Sequence, residues 1–224
     1  MRGRLIVLEG PEGAGKSTQA RRLVELLQSR AVPCVGVCEP GGTALGEEIR
    51  RLLLHDPSRE MSHAAEALLF MASRAELVDE VIAPSLAEGK VVVLDRFFLS
   101  TYAYQVAGRG LPEEEVRWAN ALATRGLVPD LTVVLTVRSD RRQQRAVLRG
   151  AADRIEEAGD SFHGRVEQAF ASYLSSPWQS AHPECGPISA VDGEGTVDEV
   201  FARIVSALSR RWPETFPVLD ESHR

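Results

Sequence analysis

Apolar positions along this chain fall into two patterns that take turns. Short, mostly apolar runs at 5–8, 33–38, 91–94, 131–137 and 188–191 have the length of strands. The run Val91-Val92-Val93-Leu94 shows no polar alternation, as a strand covered on both faces should not. Between these runs the period becomes helical. Ala20, Leu23, Val24 and Leu27 keep i, i+3, i+4, i+7 spacing, and Leu45, Ile49, Leu52 and Leu53 mark a second helix. A long helical segment over about 62–86 contains Pro84, which predicts a bend or break near its end. Pro112 suits a helix first turn ahead of Glu113-Glu114-Glu115, whose charges favour the helix dipole. The last helix has the clearest signal: Thr196 and Glu199 form a capping box, and Val197, Val200, Phe201, Ile204, Val205 and Leu208 make one apolar face. Strand and helix in alternation predict an α/β fold, a five-stranded parallel sheet with helices on both faces.

Composition narrows this to one domain. The 224 residues, 44% hydrophobic, suffice for a single core over 1–212, with 213–224 expected to be a loosely held tail because it has no periodicity. The charged, glycine-flanked stretch 150–160 suits a mobile loop between two helices. A formal charge of -6 argues against non-specific nucleic-acid binding. Cys34 and Cys38 share a strand about 13 Å long, too far apart for a bridge, and Cys185 is remote in sequence, so no disulfide framework is expected. No apolar run approaches about 18 residues, and the start does not read as a signal peptide, which points to the cytoplasm. The five histidines show no metal-ligand spacing.

Chemistry enters at Gly10-Pro11-Glu12-Gly13-Ala14-Gly15-Lys16-Ser17-Thr18, between the first strand and the first helix. The fixed positions Gly10, Gly15, Lys16 and Ser17 read as a phosphate-binding loop. Glycines let backbone N–H groups turn inward, the helix N-terminus adds positive charge, Lys16 is expected on the β- and γ-phosphates, and Ser17 on Mg²⁺. The chain has 26 Lys plus Arg, yet only Lys16 and Lys90 are lysines. A compact ammonium fits a phosphate cradle where a guanidinium is too wide.

Further candidates stand at the expected carboxyl ends of strands. Asp95-Arg96 follows the buried third strand, where Asp95 is expected to hold Mg²⁺ or its waters and Arg96 to clamp a phosphate; taken alone the pair also reads as a surface ion pair. Glu39-Pro40-Gly41-Gly42-Thr43 ends the second strand and, alone, is a turn with a helix cap. Phe70 and Arg74 share a helix face, either as a solvated surface or as a base-stacking ring beside a donor. The stretch 100–105 offers hydroxyls and an amide able to read a base edge, or is simply the start of a polar helix.

Together these segments resemble the thymidylate kinase family, in its bacterial type with lid arginines. The resemblance runs from Leu5 to about Leu208 and is carried by E-G-P-E-G-A-G-K-S-T, E-P-G-G-T, L-L-F-M-A-S-R, D-R-F-F-L-S-T-Y-A-Y-Q, P-D-L-T and R-G-A-A-D-R-I-E in that order. It implies a P-loop kinase fold with a short mobile lid at about 145–160, and an enzyme that uses ATP and Mg²⁺ to convert dTMP to dTDP, usually as a homodimer. By resemblance Gly10, Gly13, Ala14, Gly15, Lys16, Ser17 and Thr18 hold ATP, with Arg145 and Arg154 in the lid and Arg149 reaching the transferred phosphate. Glu12 contacts the 3'-hydroxyl, Arg50 and Arg96 the dTMP phosphate, and Phe70 and Arg74 the thymine. Glu39, Ser100 and Gln105 belong to the same acceptor site, and Tyr104 lies under the sugar. Lys16, Asp95, Arg96 and Arg149 are the expected catalytic set, with Ser17 and Asp95 on the metal. Cys38 and Val147 stand where relatives often carry Arg, which bears on the positive charge of the closed site and not on the reaction. A deoxynucleoside kinase, needing Glu12 or Glu39 as a base, and a nucleotide-binding regulatory module remain the alternative readings.

Overall fold

The computed structural model describes residues 3–55, 60–138 and 154–216. Its strands are β1 (Arg4–Glu9), β2 (Cys34–Cys38), β3 (Val91–Asp95), β4 (Leu131–Thr136) and β5 (Ile188–Asp192). They form one parallel sheet in the order β2-β3-β1-β4-β5, so the first strand is central. All five lie where the apolar runs predict them. Because side chains alternate across a strand, the runs feed two cores at once. Leu5, Val7, Val92 and Leu94 face α2 (Ala44–Leu54), α3 (His63–Leu77) and α7 (Asp160–Ser172). Ile6, Leu8, Val91 and Val93 face α1 (Lys16–Ser29) and α9 (Val197–Arg211).

The helices explain how residues reach the site. Helix α3 does not simply break before Pro84: it widens into a π-helical stretch at Val78–Ile82 and resumes as α4 (Ala83–Ala87) with Pro84 in its first turn. The missing N–H and ring clash of proline are thereby met by a local change of helical pitch. Helix α5 (Phe98–Thr101) passes likewise into a π-helical stretch, Tyr102–Gly108, which settles 100–105 as helical. Pro112 is the cap of α6 (Glu113–Thr124) and stands just outside its first turn. The short α8 (Ser176–Ala181) and the 3-10 turn Pro183–Cys185 lead into β5.

Two expectations are corrected, and a third segment is partly placed. Thr196 and Glu199 do form the capping box, but Val197 is 49% exposed and leaves the apolar face of α9. The residues just past that helix are held: Phe216 is fully buried among the α1 and α9 side chains, and Arg4 bonds both Glu214 (2.5 Å) and Thr215. An aromatic ring with a complementary pair before it anchors a segment that shows no period; 217–224 lie outside the described residues. Of the stretch read as a mobile loop, 150–153 lie outside the described residues, and from Arg154 on it packs on the fold, with Ile155 8% exposed and the Arg154 N–H on the Leu54 carbonyl at 3.3 Å.

Candidate active site

Sheet order brings three strand ends together. β3 lies between β1 and β2, with Leu8 opposite Asp95 and Cys38 opposite the same Asp95, so Glu9-Gly10, Asp95-Arg96 and Cys38-Glu39 leave the sheet side by side. The turn after β1 depends on glycine: Gly10 has φ +140°, and a Cβ there would meet the Leu135 carbonyl oxygen at 2.7 Å. Gly15, at φ +93°, then opens α1. Lys16 is buried and donates to the Pro11 carbonyl at 2.9 Å. Burial, and secondarily the Arg96 charge, push its ammonium down to about 8 against the pull of Glu12, Asp95 and Glu9.

Beside it, Ser17 Oγ donates to Asp95 Oδ2 at 2.5 Å, while the buried Asp95 Oδ1 has no hydrogen-bond partner among the described residues. No group of three or more metal-ligating side chains occurs among the described residues. A hydroxyl and one carboxylate with a spare oxygen suit Mg²⁺, which binds proteins through few ligands and takes phosphate oxygens and water for the rest. The donor set fits the expected metal.

A cleft of about 520 Å³ opens over the ends of β2 and β3, and Glu12, Arg50, Phe70, Arg74, Arg96, Ser100, Tyr104 and Gln105 all line it. Arg96 holds a left-handed backbone, φ +72°, with its N–H on the Leu8 carbonyl. Its side chain reaches Ser100 Oγ (3.0 Å), pairs with Glu12 and lies 5.1 Å from the Tyr104 ring centre. Burial pushes the Tyr104 phenol up to about 12. Arg50 donates to the Pro40 carbonyl at 2.6 Å. Phe70 is half-buried at the cleft wall.

Arg74 is more embedded than its pairing with Phe70 suggests. It is 2% exposed and bonds Glu39 (2.6 Å), the Phe97 carbonyl (3.0 Å), Met71 Sδ and Asn120 Oδ1. Burial pushes the Glu39 carboxyl up, with Arg74 opposing. Glu39 itself lines the cleft, and it also fixes Arg74 there.

A second cavity of about 460 Å³ lies on the other side of the phosphate loop, lined by Gly13, Ala14, Gly15 and Thr18 together with Gly193, Gly195, Thr196, Val197 and Val200. Glu12, Lys16 and Ser17 line both cavities. The exposed Val197 is therefore a wall of a binding cavity.

Sequence reasoning missed Glu9, Asn120, Glu66 and the segment after β5. Glu9 is fully buried and accepts from the Phe97 N–H (2.7 Å), the Ser100 N–H (3.1 Å) and Ser100 Oγ (2.7 Å), so it fixes the start of α5. Gly193 and Gly195 follow the carboxyl end of β5, the same position that singled out Asp95 on β3, and that rule applied to every strand finds them. Arg154 lines neither cavity; it donates to Glu66 (2.6 Å) and the Leu53 carbonyl (2.8 Å). Arg145, Val147 and Arg149 lie outside the described residues.

A family model described as thymidylate kinase matches residues 8–179. Proteins named thymidylate kinase include one from a Synechococcus species, 46% identical over 209 residues and covering 93% of this chain and 95% of that protein. Another, from Deinococcus radiodurans, is 43% identical over 93% of this chain and 98% of its own length. A third, from Cutibacterium acnes, is 47% identical over 82% and 86% respectively. With the phosphate loop, the Asp95-Arg96 pair and the two joined cavities in place, the chain belongs to the thymidylate kinase family.

Proposed function

We propose that this chain transfers the γ-phosphoryl group of ATP to dTMP, giving dTDP and ADP. The observation that carries the reading is the meeting of two cavities over Lys16 and Ser17, the geometry a transfer between two nucleotides requires. The phosphate-loop cavity suits ATP. The cleft with Phe70, Arg74, Ser100, Tyr104 and Gln105 suits a base and sugar, and Arg50 and Arg96 at its inner end suit the acceptor phosphate. Tyr104, buried and lining that cleft, is assigned to lie under the sugar, where a ribose 2'-hydroxyl would clash.

The reaction asks little acid–base chemistry of the protein, since a phosphate oxygen of dTMP is already anionic near neutral pH. Lys16 neutralises charge on the transferred group, Arg96 and Arg50 align the acceptor, and Glu9 holds Ser100 beside Arg96. Ser17 and Asp95 would hold Mg²⁺, which when bound would offset phosphate charge. Arg149, with Arg145, is assigned from the sequence to meet charge on the γ-phosphate. We further assign a homodimer, with exposed Leu68 on α3 and Trp118 and Leu122 one turn apart on α6 as its apolar surface. No helix among the described residues is long and apolar enough to cross a membrane, and the cysteines at 34, 38 and 185 are free; a cytoplasmic site of action is part of the proposal.

Release of ADP measured with dTMP, with thymidine and without acceptor tests the reading. Turnover with dTMP alone is expected. Turnover with thymidine instead favours a nucleoside kinase, and no turnover at all favours a binding module.

A further inference from the structure

Glu66 lies on α3, 1% exposed and outside the residues that line either cavity. Its carboxylate nevertheless collects four N–H donors. Arg109 contributes Nε to Oε1 and Nη2 to Oε2, both at 3.0 Å, and Arg154 contributes Nη2 to Oε2 at 2.6 Å. The fourth is Gln105 Nε2, 3.2 Å from Oε1. Burial opposes ionisation of Glu66, but the bonds and charges of Arg109 and Arg154 outweigh it and hold the carboxyl below its usual range.

An ionised carboxylate only accepts hydrogen bonds, whereas a carboxamide has a donor end and an acceptor end. Facing Glu66, the Gln105 amide has to present its NH₂; the reverse orientation sets oxygen against oxygen in a buried place. Gln105 Oε1 is thereby turned away from Glu66, receives no hydrogen bond from the described residues, and belongs to a side chain lining the acceptor cleft. Arg74, in the same cleft, carries five N–H groups of which four have partners, and it can only donate.

The geometry points to Glu66 as the positioning residue that sets the polarity of base recognition. By locking the Gln105 oxygen outward beside the Arg74 donor, it matches a pyrimidine with N–H at ring position 3 and a carbonyl at position 4, and opposes 4-amino pyrimidines, whose order is reversed. This rests on the dTMP reading above. A carboxylate separated from the substrate by one residue acts here only through the amide it orients.

The test compares kcat/KM for dTMP, dUMP and 5-methyl-dCMP, with ATP, in the full chain and in Glu66→Gln. A carboxamide at 66 offers both a donor and an acceptor, so it no longer dictates which way Gln105 faces. The wild type is expected to prefer dTMP over 5-methyl-dCMP by at least about 10³, and the variant to narrow that ratio at least about tenfold. The dTMP to dUMP ratio should stay unchanged, because both bases present the same edge. Equal losses on all three acceptors would make Glu66 a structural residue and overturn the inference, as would equal wild-type use of dTMP and 5-methyl-dCMP. If Glu66→Gln fails to fold, Glu66→Gln with Arg109→Gln removes one of the two guanidinium charges left without a carboxylate, and Gln105→Met removes the amide itself; preserved discrimination in either also overturns it. A wild type inert toward dTMP defeats the underlying function instead, so the two failures are distinct.

Discussion

Lys16→Met should remove turnover and, at pH 7, make the protein more stable. The ammonium is buried in a glycine-rich turn, and its affinity for a proton falls from the ordinary 10.5 to about 8. At about 1.4 kcal/mol for each tenfold, holding Lys16 charged in the fold costs about 3 kcal/mol. Its bond to the Pro11 carbonyl returns about 1 kcal/mol, which a methionine gives up. A net gain of about 2 kcal/mol is expected for the variant. The pH dependence has a definite sign. Between about 8 and 10.5 the unfolded chain binds the Lys16 proton and the folded one does not, so wild-type stability rises across that window relative to the variant. Urea unfolding of both proteins at pH 7, 8, 9 and 10 reads the difference directly, with other groups cancelling. Loss of turnover by at least about 10² should accompany it, since the variant lacks the phosphate-loop cation at the transferred phosphate. A variant less stable than wild type at pH 7, or a difference that does not change between pH 8 and 10, would refute the reasoning.

Phe70→Ala should raise the KM for dTMP well above any change in that for ATP, through loss of stacking worth about 1 to 3 kcal/mol; equal changes in both would assign the ring to core packing. Arg149→Ala is expected to lower kcat at least about tenfold with little effect on dTMP affinity, measured beside single alanine variants of Arg145 and Arg154. Because Arg154 is engaged by Glu66 and Leu53, its variant should lose thermal stability as well as any activity. Phe216→Ala should cost about 3 to 5 kcal/mol in denaturant unfolding, as expected for a fully buried aromatic ring, and no change would return that segment to a loose tail.

The sheet was legible because each strand is a short, mostly apolar run, and Val91 to Leu94, apolar without alternation, reads as a strand with both faces covered. The phosphate loop was equally plain, since Gly10, Lys16 and Ser17 are local to one turn. What stayed hidden is fixed by contacts distant in sequence. Glu9 to Ser100 spans 91 residues and Arg74 to Asn120 spans 46, and no local period records which carboxylate or amide a buried side chain will meet. Arg74 illustrates the limit: its spacing from Phe70 placed it on the correct helix face, but not inside a network with Glu39 and Phe97. Phe216 failed for a simpler reason, because one anchoring ring leaves no repeat to detect.

The ladder of the sheet does not stop where the strands end. The Arg96 N–H donates to the Leu8 carbonyl and the Glu39 N–H to the Asp95 carbonyl, each at 3.0 Å, so the acceptor side is stitched across β2, β3 and β1 by main-chain bonds. The Arg96 bond, between the two inner strands, is expected to open with the sheet itself, while the Glu39 bond lies past the end of the edge strand β2. Amide exchange at Arg96 should therefore follow global unfolding, and the backbone of the clamp on the acceptor phosphate has no independent softness: heat or denaturant removes it at the same point at which the whole domain is lost.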